Sequence, residues 1–160
     1  MDALNDPDVQ AGFDQLWKES NPPPAPLGDR KEHFGWLVWT ESGGWAFHDT
    51  GLTGNVCGLD AEIPYPPEGA AAIRAFVHTH PYAPDEIIPV CSETDTERIV
   101  GYAPYGGTPS RLDRMTSVRL GERLYGPGHT LSGLILDSKD ILSFVGFNTD
   151  RDGGISRCGY

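Results

Sequence analysis

Two histidines one residue apart, His78 and His80, close an apolar stretch in "AFVHTHP". In an extended strand, side chains i and i+2 point to the same face, so both imidazoles face one way and Thr79 the other. Such a pair can offer two neutral nitrogen donors to one divalent cation. A catalytic zinc takes three protein ligands and leaves one position for water, whose pKa it lowers to about 7. A third donor is therefore needed, and Asp113 is the candidate. The segment "PSRLD" opens a helical pattern, and a helix beginning at Ser110 brings the Ser110 hydroxyl and the Asp113 carboxylate to the same helix N-terminus. Taken alone, Ser110 and Asp113 have the spacing of a helix cap. Taken alone, Glu32 beside Lys31 is a solvated charge at a strand start.

The elements that must position these residues follow from periodicity and punctuation. "NDPDVQAGFDQLWKES" predicts an N-terminal helix within residues 1–20, with Asp6 as N-cap, Pro7 at the first helical position, and Phe13, Leu16 and Trp17 on one face. "NPPPAP" ends it, and residues 21–28 are expected to be a stiff, extended connector. The body, 29–160, begins with "HFGWLVW" and "GWAFHDT", aromatic and β-branched runs around the turn "TESG", a predicted hairpin. The strand "AAIRAFVHTH" follows a Gly- and Pro-rich span. "SRLDRMTSVRLGERLYG" reads as a helix with Leu112, Met115, Val118 and Leu124 at helical spacing and Gly126 at its end. "TLSGLILD" and "ILSFVGF" around "SKD" predict a second hairpin. The fold class is α/β, a mixed sheet flanked by helices.

The upstream Glu32 in "EHFGW", the His78-Thr79-His80-Pro81 run, and the Ser110/Asp113 pair occur in the order of a family signature: Glu, then H-x-H, then S-x-x-D. In this the chain resembles the JAMM/MPN zinc metallopeptidases over about residues 30–147, and most closely the JAMM-like domains of bacterial polymorphic toxins and effectors. The resemblance implies a cytidine-deaminase-like mixed sheet and a Zn2+ ion held by His78, His80 and Asp113. It further implies Glu32 as general base and Ser110 as donor to the oxyanion of an attacked amide. The chain departs from the family in the long insertion, 81–109, between the HxH strand and the S-x-x-D helix. The insertion's prolines and glycines predict an ordered, folded-back loop bordering the cleft. Its Asp85, Glu86, Glu93, Asp95 and Glu97 against Arg98 predict a non-acidic substrate segment or a basic covering partner.

Other residues have plainer readings. Glu41, the rival base, falls in the hairpin turn. His33 alternates to the face opposite Glu32 and is set aside as a ligand. His48 and His129 read as ordinary polar groups, and Trp36, Trp39 and Trp45 as core or sheet-face aromatics. Cys91, inside the insertion, is a minor alternative zinc ligand, and "DRDGG" lacks the later acidic ligand of a calcium loop. Cys57, Cys91 and Cys158 form no CxxC knuckle and read as reduced thiols, with a Cys57–Cys91 pairing left open.

Charge narrows the partners. The 160 residues carry 12 Lys and Arg against 23 Asp and Glu, a net charge of -11, which repels phosphate backbones and anionic lipid. Nucleic acid and membrane are thereby excluded as expected partners. "MDALNDPDVQ" has neither the basic nor the apolar region of an export leader, so the expected setting is cytoplasmic, or delivery as an effector without a leader. Two functions from different classes stand. One is a zinc-dependent peptidase or isopeptidase acting on a protein or peptide, as a secreted toxin or a deconjugating enzyme, with an immunity, inhibitor or carrier protein as a further partner. The other is a non-catalytic MPN-like binding scaffold, against which the intact Glu32 argues, since a scaffold has no need of a base.

Overall fold

Asp6 starts the first helix by accepting the backbone N–H groups of Asp8 and Val9, with Pro7 at the first helical position, where a missing N–H costs nothing. The structure is a computed structural model and describes residues 2–54, 61–82, 109, 111–137 and 141–146. Helix α1 spans Pro7–Glu19, and Val9, Phe13 and Leu16, at helical spacing, are buried while Trp17 is half-buried. The residues after it do not run extended as expected. Ala25 N–H bonds the Pro22 carbonyl and Asp29 N–H the Pro26 carbonyl, closing turns that end in a 3-10 helix at Leu27–Asp29. Prolines lack donors but keep their carbonyls, and the following N–H groups use them.

Strands β1 (His33–Thr40) and β2 (Trp45–Thr53) pair antiparallel across the predicted turn. Strand β3 (Ala70–Thr79) pairs antiparallel with β1 on its other side, placing Phe34 opposite His78. Helix α2 (Arg111–Tyr125) then carries the chain to β4 (Gly133–Leu136), which lies parallel to β3, and β5 (Ile141–Phe144) returns antiparallel to β4. Gly126, at a φ of 96°, ends α2 as its position predicts. The order β2-β1-β3-β4-β5 makes a mixed five-stranded sheet with β3 at its centre.

The sheet separates two apolar clusters. On one face α1 sets Val9, Phe13 and Leu16 against Leu37, Ala75, Val77, Leu134 and Leu136. On the other, Leu120 and Leu124 of α2 meet Trp36, Val38, Phe76, Ile135 and Phe144. Alternation along β1 and β3 therefore assigns Phe34, Trp36, Phe76 and His78 to the α2 side and Leu37, Val77 and Thr79 to the α1 side. Gly121 lets α2 lie directly on the entry to β4, because a Cβ there would collide with the Thr130 backbone. Ser117 holds the same junction. Its hydroxyl donates to the Leu131 carbonyl and accepts the Gly146 N–H. Among the described residues, no helix is long and apolar enough to cross a membrane.

Candidate metal centre

His78 lies in the last two residues of the central strand and His80 just past its end, and the first turn of α2 faces them. His78 Nε2 lies 3.1 Å from His80 Nε2 and 3.1 Å from Asp113 Oδ1, while His80 Nε2 is 3.6 Å from Asp113 Oδ2. Donors bound to a tetrahedral zinc at about 2.05 Å stand about 3.4 Å from one another, so these separations lie within about 0.3 Å of the edges such an ion would need. Two imidazole nitrogens and one carboxylate also suit zinc chemically. The group is buried, with His78 1% and His80 7% exposed, and it could hold a metal ion.

Packing fixes the imidazoles. The His78 ring stacks on Phe34 at 5.8 Å and Phe76 at 5.7 Å, and Phe144 meets it edge-on. A metal-ligating histidine usually has its ring held by a hydrogen bond from the other nitrogen. His78 Nδ1 has no such partner among the described residues, and here the three phenyl rings hold the plane instead. Asp113 lies in the first turn of α2, where the helix dipole favours a carboxylate.

Glu32, one residue before β1, is 7% exposed and lines a cavity of about 370 Å³ together with His78 and Asp113. Burial pushes its carboxyl up to about 7. The Asp113 charge adds to the rise, and His80 and a Tyr82 hydrogen bond oppose it. That bond runs from the Tyr82 hydroxyl to Glu32 Oε1 at 2.9 Å. Burial and the neighbouring Glu32 drive the Tyr82 phenol far above its ordinary range, so Tyr82 remains a donor. Glu32 is not part of the ligand-distance group, which separates it from the metal donors. Phe34, Ile63, Phe76, Leu112 and Leu120 give the cavity apolar walls, and Arg119, Arg123 and Glu62 add charge. Arg123 is engaged by Glu62 and the Pro64 carbonyl.

Ser110, Cys91, the remainder of the insertion between Tyr82 and Pro109, Cys57, Cys158 and the "DRDGG" segment lie outside the described residues. Glu41 is exposed, so the turn reading holds for it. Sequence reasoning missed Tyr82 and Arg30. Arg30 is buried and donates to the Ala25 and Pro81 carbonyls, tying the chain just past His80 to the connector. A phenol two residues after the HxH pair was the one signal available for Tyr82. Compared with known proteins, the chain matches no family model, no curated protein and no solved structure.

Proposed function

We propose that this chain is a zinc-dependent hydrolase of peptide or isopeptide bonds with a JAMM/MPN-type fold and site. One observation carries the reading: a buried carboxyl raised to about 7 lines the same cavity as a His78-His80-Asp113 group whose atoms stand at zinc-ligand spacing. His78, His80 and Asp113 would hold the zinc, which when bound would supply a Lewis acid for the scissile carbonyl and acidify water. Glu32, lining the same cavity, is placed to accept a proton from the attacking water and return it to the departing amine. Tyr82 occupies Oε1 and leaves the second carboxylate oxygen for the proton. Ser110 is assigned the oxyanion contact on the strength of the family resemblance. The substrate is a protein or peptide segment.

The deciding experiment pairs metal analysis with turnover on a panel of fluorogenic peptide and isopeptide substrates. Glu32→Gln is expected to keep tightly bound zinc and the fold while turnover falls at least about 100-fold. His80→Ala and Asp113→Asn are expected to lose the zinc. Loss of zinc in Glu32→Gln would make Glu32 a ligand, and full retention in His80→Ala would remove the site.

A further inference from the structure

On the opposite side of β1 from the cavity, His33 stands among carboxylates it was not expected to meet. Its side chain is 10% exposed, and its Nδ1 is buried without a hydrogen-bond partner among the described residues. That nitrogen points at Glu19 Oε2, 4.0 Å away on the last residue of α1. Asp49 of β2 completes the group. It pairs with Gly35, and one donor atom each from Glu19, His33 and Asp49 lies within 4.8 Å of the others.

We propose that Glu19, His33 and Asp49 form a second, weaker site for a divalent transition-metal cation. Each carboxylate already has one oxygen anchored: Gln15 donates to Glu19 Oε1, and the Gly51 N–H donates to an Asp49 oxygen at 2.7 Å. Such outer bonds orient metal-binding carboxylates and leave their second oxygen for the ion. The electrostatics favour a cation as well. Two carboxylates gather at the C-terminal end of α1, where the helix dipole already concentrates negative charge. The 4.0 Å edge exceeds the roughly 3.4 Å of a tetrahedral zinc site, but Glu19 is at a helix end with a long side chain and can close it. The ion would clamp α1 to β1 and β2, one residue from Glu32. This site stands independently of the hydrolase reading.

The test is calorimetric titration of chelator-stripped, full-length protein with Zn2+. Wild type is expected to show a tight class and a weaker class, each of one ion. Glu19→Gln and Asp49→Asn, both at exposed side chains, should weaken the second class at least about tenfold, without changing the circular dichroism or the tight class. Asp113→Asn should lose the tight class and keep the weaker one. In Asp113→Asn protein loaded with Co2+, visible d–d absorption should appear and vanish when Asp49→Asn is added. A wild type with no class that weakens in Glu19→Gln or Asp49→Asn overturns the site, whatever becomes of the tight class. So does a second class that survives both carboxamide substitutions.

Discussion

At the scale of the residue, the same-face placement of His78 and His80 is legible because strand alternation is local. The arrival of Asp113 is not local, and only the order of the motif pointed to it. Glu32 illustrates a different limit. Its type and position suggest a base, but the feature that would fit it to that role is burial, which depends on cavity walls drawn from β3 and α2. Burial also makes Glu32 a pH-dependent cost. Its folded value of about 7 lies above the ordinary 4.5, so the folded chain holds the proton more firmly. Stability from this group is therefore fully present below about 4.5 and is lost as pH rises through 7. A gap of 7 minus 4.5 corresponds to about 3 kcal/mol. Metal-free Glu32→Gln, whose side-chain oxygen still accepts from Tyr82, should thus melt about 6–12 °C above metal-free wild type at pH 8. The two should nearly coincide at pH 4. Thermal melts across that range check this, and a difference that does not vary with pH would refute the buried-carboxyl account.

At the scale of the element, the two helices and both hairpins were readable from apolar period, caps and turns. The connector was misread because proline carbonyls still accept turn bonds. What no local pattern indicates is how α1 is tied to the strand that bears the ligands. The Ser20 hydroxyl donates to the Leu16 carbonyl, so its contact with Thr79, 2.6 Å away, must use the Thr79 proton. Thr79 Oγ1 in turn accepts the His33 N–H at 3.0 Å. The residue between the two histidines, turned away from the metal face, thereby joins α1, β1 and β3. All three groups are buried. Thr79→Val keeps the shape and strands the His33 N–H, an unpaired buried donor costing about 1–3 kcal/mol. Urea unfolding should show that loss in Thr79→Val and little change in Thr79→Ser, with zinc content equal in both. A stable Thr79→Val protein would mean that the hydroxyl relay contributes nothing to the junction.

At the scale of the molecule, alternation along single strands does not specify the order β2-β1-β3-β4-β5, because any strand with two buried faces could take the centre. The centre falls to β3, whose final residues are buried on both sides, and the α2 crossover to β4 then returns the chain beside the same strand end. The His78-His80-Asp113 group spans that crossover: two side chains come from β3 and its end, one from the first turn of α2. Leu120 and Leu124 anchor the later turns of the helix to the sheet, while Asp113 ties its first turn to His78 and His80. Removing zinc should therefore loosen the start of α2 more than the sheet. A ligand at about 1,000 times its dissociation constant stabilises a fold by about 4 kcal/mol. For a chain of this length that is about 8–16 °C in melting temperature. Chelation should produce a fall of that order in wild type, most of it absent in Asp113→Asn and most of it retained in Asp49→Asn. Amide hydrogen exchange should rise in residues 111–116 of the metal-free protein and stay low in β1 and β4. If elemental analysis shows the zinc gone while melting temperature and exchange at 111–116 are unchanged, the ion does not bridge β3 and α2, and the site assembled from His78, His80 and Asp113 must be abandoned.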